Sequence, residues 1–100
     1  MRLTPAQIEA INQTVSRWTD GRAEVFLFGS RLDDRARGGD VDLLIEADAP
    51  LTLIAQARLQ MELESLIELP VDLVVQVRHT VPTPFQRIAR AHAVRLGAPS

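Results

Sequence analysis

The stretch that most limits how this chain can fold is Val25 to Glu46, which reads VFLFGSRLDDRARGGDVDLLIE. It predicts an apolar strand, a Gly-Ser turn, a polar loop and a second apolar strand that opens with two carboxylates. Asp40 and Asp42 are two residues apart, and both point the same way because strand side chains alternate between faces. The apolar residues between and after them point the other way, into a core.

The two carboxylates indicate a cation. Like charges side by side at the start of a buried strand are unfavourable unless something neutralises them, and oxygen ligands suit magnesium. Gly29 permits a tight turn and the close approach of a ligand to the backbone. Ser30 adds a hydroxyl and an N–H that could face an anion, and Arg31 follows where a guanidinium could meet a phosphate. The stretch therefore predicts a phosphate-and-metal site.

Size and composition exclude several classes of protein. A chain of 100 residues predicts one domain spanning residues 1–100, and its 46% hydrophobic content allows a small core. A net charge of −2 argues against a general binder of nucleic acid or of anionic membranes. The chain has no cysteine for disulfides or thiolate metal sites. No apolar run reaches the roughly 18 residues of a membrane span, so a soluble cytoplasmic protein is expected.

Apolar periodicity and turn residues predict the elements along the chain. The segments are a helix from Thr4-Pro5 to Asp20-Gly21, a strand at Arg22–Phe28, a strand at Asp40–Glu46, a helix at Leu51–Leu69, a strand at Val71–Val77 and a helix at Phe85–Leu96. In the loop from Arg31 to Gly39, Asp33 or Asp34 is expected to cap a helical turn. His79 is expected to be an exposed loop residue.

The two later helices have clear apolar sides. The buried stripe predicted for the longer one consists of Ala55, Leu59, Leu63, Leu66 and Ile67. Glu64 falls on the other side of that helix, and Met61 lies off the stripe as either a partner contact or an exposed residue. In the last helix Phe85, Ile88 and Ala89 share one side, and its arginines are expected to form a solvated surface.

A single Asp also interrupts the third apolar strand. Asp72 points away from the odd-numbered valines of VDLVVQV at Val71 to Val77. It is either a strand-start residue hydrogen-bonded to the preceding turn, or a third carboxylate that a sheet could bring within metal-sharing distance of the Asp40 and Asp42 pair. The presence of that pair favours the second interpretation.

Together these motifs resemble the nucleotidyltransferase superfamily that includes DNA polymerase β. The resemblance rests on FGSR at Phe28 to Arg31, GDVDLLIE at Gly39 to Glu46 and VDLVV at Val71 to Val75. It covers nearly the whole chain and is greatest to the minimal, MNT-type nucleotidyltransferases, which are found as antitoxins beside HEPN-domain toxins. It implies an α/β (α+β) fold with a small mixed three-stranded sheet, the Asp40 strand beside the Asp72 strand, and helices packed mainly on the face opposite the carboxylates.

The resemblance also implies a reaction at the α-phosphate of a nucleoside triphosphate, with pyrophosphate leaving. Such a transfer needs positioning and charge neutralisation, and two magnesium ions about 3.5–4 Å apart can clamp the reacting oxygens. By this resemblance Asp40 and Asp42 hold the metals, and Asp72 holds the one that activates the attacking hydroxyl and can take its proton. The Gly29–Ser30 turn would cradle the β- and γ-phosphates, and Arg31 would contact a phosphate.

For MNT antitoxins the family picture is neutralisation of a HEPN ribonuclease, by complex formation and by transfer of AMP to a tyrosine. The resemblance thus implies a magnesium-dependent protein adenylyltransferase with ATP as substrate, a HEPN toxin as partner, and no membrane or nucleic acid. Two other interpretations remain open. The chain could be an inactive relative that neutralises its partner by binding alone, or a small α/β structural domain whose Asp residues are solvated strand ends.

Overall fold

The computed structural model describes residues 3–28 and 40–96, which form helices and one set of strands. In chain order they are α1 (Pro5–Thr19), β1 (Ala23–Phe28), β2 (Val41–Ala47), α2 (Leu53–Ile67), β3 (Val71–Val77), α3 (Pro84–Ala91) and β4 (Val94–Arg95). The predicted loop from Arg31 to Gly39, with its Asp33 or Asp34 cap, lies outside the described residues. No helix in the described part is both long and apolar enough to cross a membrane.

Each described helix begins at a threonine that accepts a hydrogen bond from a backbone N–H of the first turn. Thr4 Oγ1 accepts from the N–H of Gln7 at 3.1 Å, and the Gln7 side chain accepts from the N–H of Thr4 at 2.8 Å. Thr83 and Gln86 form the same reciprocal pair in α3, while Thr52 caps α2. These bonds satisfy backbone donors that a helix start leaves free. The predicted start of the first helix is confirmed.

The strands form one mixed sheet in the order β3-β2-β1-β4. β1 is antiparallel to β2 and to β4, whereas β2 is parallel to β3. A parallel pair cannot be joined by a tight turn, and α2 supplies the crossover connection. The prediction that the Asp40 strand lies beside the Asp72 strand is confirmed.

The fourth strand was not predicted, since the sequence indicated three strands and a last helix reaching Leu96. Instead α3 ends at Ala91, and Val94–Arg95 pairs with β1. The N–H of Leu96 donates to the carbonyl of Val25 at 2.9 Å, and the Leu96 side chain is buried. The backbone groups of residues 94–96 thus form hydrogen bonds with the edge of β1 that does not pair with β2. A strand of two residues is too short to show an alternating pattern in the sequence.

One face of the sheet carries the main core. The odd-numbered residues of β1, β2 and β3 point to this face, and α1 and α2 contribute the rest of the same cluster. Its buried members include Ile11, Val15, Val25, Leu27, Val41, Leu43, Ile45, Leu59, Leu63, Ile67 and Val71. Burying one such side chain contributes about 1.5–3 kcal/mol, so this cluster supplies much of the free energy of folding.

The apolar stripe of α2 is narrower than predicted. Leu59, Leu63 and Ile67 are buried, but Leu66 is 49% exposed and Met61 is 68% exposed. The buried residues follow one another at intervals of four, so they form a single line along the helix, and Leu66 lies just off that line. Including Leu66 in the buried stripe was wrong, and Met61 is exposed in this chain.

The opposite face of the sheet is shared between α3 and the acidic residues. A second buried cluster consists of Phe26, Phe28, Leu44 and Ala89. The Arg90 guanidinium lies 4.1 Å from the centroid of the Phe26 ring, and its Nε lies 3.3 Å from the Glu46 carboxylate. The prediction of helices opposite the carboxylates therefore holds for α1 and α2. α3 packs on the acidic face instead, because Phe26, Phe28 and Leu44 on that face are shielded from water by this helix.

At the end of the sheet far from Asp40, acidic and basic groups balance each other. Arg78 lies 2.9 Å from the Glu24 carboxylate and 2.5 Å from that of Asp48. The hydrogen bond to Asp48 and the surrounding carboxylates raise the pKa of Arg78, although burial acts in the other direction. Arg95 adds a contact of 3.1 Å to Glu24. This pairing of charges contrasts with the acidic end of the sheet.

Candidate active site

The three aspartates predicted as site residues lie at one end of the sheet. Asp40 immediately precedes β2, Asp42 is the second residue of that strand, and Asp72 is the second residue of β3. The parallel pairing makes Asp42 and Asp72 direct partners across the two strands. Because both are even-numbered in strands whose odd-numbered residues enter the core, their side chains share the other face.

The carboxyl groups of these aspartates approach one another closely. Asp72 lies close enough to Asp40 and Asp42 to raise the pKa of both carboxyl groups. The pKa of Asp40 is raised first by hydrogen bonding with the Asp72 carboxyl group and then by the charge of Asp72. The pKa of Asp42 is raised mainly by its burial and next by the charge of Asp72. The cluster thus holds negative charge that no basic side chain is seen to relieve among the described residues.

This cluster fits a divalent cation by charge and by the type of its donor atoms. Carboxylate oxygens are the ligands that magnesium takes from proteins. Within residues 3–28 and 40–96, however, no group of three or more His, Cys, Asp or Glu side chains is arranged as ligands of one ion. Binding of one ion by all three aspartates would therefore require their side chains to rotate toward a common position.

A fourth carboxylate near the cluster was missed by the sequence interpretation, which placed Glu64 on the outer side of α2. Glu64 Oε2 accepts a hydrogen bond from the N–H of Val71 at 2.8 Å, and its charge contributes to the raised pKa of Asp40. The two residues in this bond are seven positions apart, across the turn between α2 and β3. Helical periodicity cannot reveal such a contact, because it depends on how the helix meets the next strand.

Gly29, Ser30 and Arg31, the predicted phosphate-binding residues, lie outside the described residues. β1 ends at Phe28, whose Cα partner in β2 is Asp42. The last described residue of β1 therefore lies in the same row of the sheet as Asp42. Phosphate binding by these three residues stays a prediction.

Exposed apolar residues occur in α3 and in the loop before it. They are Val81, Phe85 and Ile88, which are 83%, 58% and 64% exposed, and we call them the α3 patch. The Phe85 ring packs edge-to-face against Phe28, with ring centroids 6.3 Å apart. Because Phe28 is the Cα partner of Asp42, Phe85 is the member of the patch that is shown to lie near the carboxylates. The sequence grouped Phe85 and Ile88 with Ala89 on one side of the helix, yet of these three only Ala89 is buried.

Residues 8–95 match the family model of the nucleotidyltransferase domain. This chain belongs to the nucleotidyltransferase domain family. The matched segment includes every described strand and the three aspartates of the cluster. A structure described as a minimal nucleotidyltransferase is 31% identical, with a TM-score of 0.69, and the alignment covers 91% of this chain and 90% of that one. No curated protein matches this nucleotidyltransferase.

Two further solved structures share the nucleotidyltransferase fold of this chain. One is a Shewanella oneidensis complex of a tri-AMPylated HEPN toxin with an MNT antitoxin, at 22% identity and a TM-score of 0.71, covering 93% of this chain and 71% of that one. The other is a toxin–antitoxin complex with AMP-PNP, at 22% identity and a TM-score of 0.63, covering 88% and 73%. At these identities the likeness concerns the fold alone.

Proposed function

We propose that this nucleotidyltransferase transfers AMP from ATP to a hydroxyl group of a partner protein, with magnesium held by Asp40, Asp42 and Asp72. The observation that supports the proposal is the position of these three aspartates at one end of the sheet, where Asp42 pairs with Asp72 and the pKa values of Asp40 and Asp42 are raised. Neighbouring carboxylates that no described basic side chain neutralises are what a site for hard cations requires.

In the proposed reaction the acceptor oxygen bonds to the α-phosphorus of ATP, the bond to the bridging oxygen breaks, and pyrophosphate leaves. Bound magnesium would neutralise phosphate charge and favour the deprotonated acceptor hydroxyl. Asp40 and Asp42 would hold the metal, and Asp72, on the exposed edge strand, would hold metal and accept the hydroxyl proton on a carboxylate oxygen. We propose that Gly29 and Ser30 bind the β- and γ-phosphates and that Arg31 contacts a phosphate.

We further propose that the acceptor is a tyrosine of a HEPN toxin and that the chain acts as its antitoxin. Two of the structures that share its fold are toxin–antitoxin complexes, and one of them contains a tri-AMPylated HEPN toxin with an MNT antitoxin. The AMP-PNP in the other supports an adenine nucleotide as the donor. Since ATP is the donor, the reaction belongs in the cytoplasm.

Incubation of the purified protein with ATP, magnesium and the proposed HEPN partner protein tests this function. Intact-mass spectrometry should detect AMP added to the HEPN protein by the wild type, and none with an Asp40→Ala/Asp42→Ala variant. Both carboxylates are needed because charge neutralisation at the phosphates is the main requirement of the transfer. An unmodified HEPN protein in both reactions would end the enzyme proposal.

Neutralisation by binding alone is the second candidate function, and the exposed α3 patch favours it. Large apolar side chains exposed near one another on a surface, as Phe85 and Ile88 are on one side of α3, mark protein interaction sites. Cells expressing the toxin with the Asp40→Ala/Asp42→Ala variant separate the two functions. Full protection by this variant would show that contact is sufficient, whereas loss of protection with retained binding would show that the transfer is required.

The α3 patch is the surface on which we expect the partner to dock. The acceptor hydroxyl must reach the acidic face, and the patch borders that face, whereas the exposed residues of α2 lie beyond the opposite face. A Val81→Glu/Ile88→Glu variant should weaken partner binding at least about 30-fold, because buried apolar contacts at interfaces dominate affinity. It leaves Phe85 on Phe28, so the patch edge nearest the carboxylates is unchanged.

The matched control places two Glu residues on α2, where Ile54 and Met61 are 69% and 68% exposed. The Ile54→Glu/Met61→Glu variant should bind the partner with the affinity of the wild type. Isothermal titration calorimetry measures both affinities, and circular dichroism checks that both variants are folded. Loss of binding in the α2 variant but not in the α3 variant would place the partner on the other side of the molecule.

A further inference from the structure

Among the described strands β3 lies at the edge of the sheet and pairs on one side only, with β2. The N–H of Val71 donates to Glu64 Oε2 at 2.8 Å. Val71 is only 1% exposed, so water cannot easily replace this acceptor. A buried N–H without a partner is strongly unfavourable, and Glu64 therefore fixes the first residue of β3.

The residue held by Glu64 stands directly beside the site. Val71 precedes Asp72, and its Cα partner in β2 is Val41, which follows Asp40. The N–H of Val41 donates to the carbonyl of Pro70 at 2.8 Å. Two hydrogen bonds, one on each side of the Pro70–Val71 peptide unit, thus set the position of the strand ends that carry the carboxylates.

Helix stability does not explain a glutamate at this position. Glu64 lies in the last turn of α2, where the negative end of the helix dipole disfavours a carboxylate. No basic residue occupies that turn. Its charge also acts unfavourably on Asp40 in the absence of a cation. The bond to Val71 is the favourable contact that the described residues offer to this side chain.

We propose that Glu64 is a positioning residue of the transferase site: by holding the N–H of Val71, it keeps the start of β3 where Asp72 meets Asp40 and Asp42. This inference rests on the proposed function, but the hydrogen bond and its effect on the strand can be measured without it. A displacement of one reacting group by about 1 Å can lower a rate about 100-fold. Loss of the one hydrogen bond between Glu64 and Val71 can therefore have a measurable effect on the rate of transfer.

Three variants test the proposal. Glu64→Gln retains an oxygen that can accept from Val71, Glu64→Ala removes it, and Glu68→Gln removes an exposed carboxylate one turn further along the chain. Amide hydrogen exchange at Val71 is the first readout. Its protection should fall at least about tenfold in Glu64→Ala and stay within about threefold of wild type in the other two variants.

Magnesium affinity and transfer kinetics are the second and third readouts. In Glu64→Ala the magnesium affinity measured by calorimetry and the kcat for AMP transfer should each fall about tenfold or more, with little change in the KM for ATP. Glu64→Gln should restore both. A purely structural role would lower the stability of Glu64→Ala without this separation of kcat from KM.

The outcomes are distinguishable. Unchanged Val71 protection in Glu64→Ala, or wild-type magnesium affinity despite lost protection, overturns the positioning role. A Glu64→Gln variant that keeps the protection but loses kcat as Glu64→Ala does also overturns it, since the charge would then be the essential property. Lost protection and weakened magnesium binding in Glu64→Ala, with no AMP transfer by wild type, support the positioning of the carboxylates while refuting the transferase function.

Discussion

Replacement of Asp42 by Asn is expected to lower the rate of AMP transfer at least about 10³-fold and to raise the Tm of the metal-free protein by about 2–4 °C. The rate falls while the stability rises because both effects come from the loss of the negative charge of Asp42. It binds the cation in the proposed reaction, and without the cation it is repelled by Asp72. Functional sites commonly trade stability for activity in this way.

The sign of the stability change follows from the pKa of Asp42, which burial and the neighbouring Asp72 charge raise above its ordinary value. A carboxyl group whose pKa is higher in the folded than in the unfolded state destabilises the fold at neutral pH. That penalty disappears as the pH falls through the folded-state pKa. Asn is uncharged, so the gain in Tm should be present at pH 7 and vanish near about pH 3.

Thermal unfolding in EDTA and in magnesium, together with single-turnover transfer assays, measures both effects. Magnesium should raise the Tm of the wild type, because it binds the folded state, and should leave that of Asp42→Asn nearly unchanged. Asp48→Asn is the control, since it removes a carboxylate that is paired with Arg78 at 2.5 Å. It should keep full activity and lower the Tm slightly. An Asp42→Asn variant that is active, or less stable than wild type in EDTA, would contradict this account.

Substitution of Leu63 by Ala should lower the free energy of unfolding by about 2–5 kcal/mol. Leu63 is fully buried in the core between α2 and the sheet, and its truncation leaves a cavity that the surrounding side chains fill only in part. Stabilities of small domains are about 5–15 kcal/mol, so this one change removes a large share. Urea unfolding followed by circular dichroism measures the change as a shift in the transition midpoint.

Leu53→Ala is the matched control on the same helix. Leu53 is 83% exposed, so its truncation should change the free energy of unfolding by no more than about 0.5 kcal/mol. The comparison holds residue type and helix constant and varies burial. Equal losses in the two variants would mean that α2 does not pack on the sheet through the Leu59, Leu63 and Ile67 line.

The strands were the most predictable part of the fold. Strands were predicted at Arg22–Phe28, Asp40–Glu46 and Val71–Val77 from their apolar residues, and the structure has a strand within one residue of each predicted boundary. Their parity also placed Asp40, Asp42 and Asp72 opposite the core residues, because a strand allows only two faces. The Thr-Pro start of α1 was equally clear, since capping depends on residues three positions apart.

Features that depend on contacts between residues far apart in the sequence could not be predicted. β4 exists because Val94 and Arg95 reach the free edge of β1, about 70 residues earlier in the sequence. The exposure of Phe85 and Ile88 follows from which side of α3 meets Phe26 and Leu44. Both depend on the position of α3 relative to the sheet, and helical periodicity within one segment contains no information about that position.

The sequence by itself determined which residues could form an acidic site: two aspartates two positions apart at the start of one apolar strand, and a third at the start of another. Only the tertiary structure decided that they meet, because the parallel pairing of β2 with β3 brings Asp42 opposite Asp72. It also decided that Glu64 reaches the same place, through a hydrogen bond between a helix and an edge strand. Alternation along a strand is local and can be read from residue order, whereas register and helix placement result from packing of the whole chain.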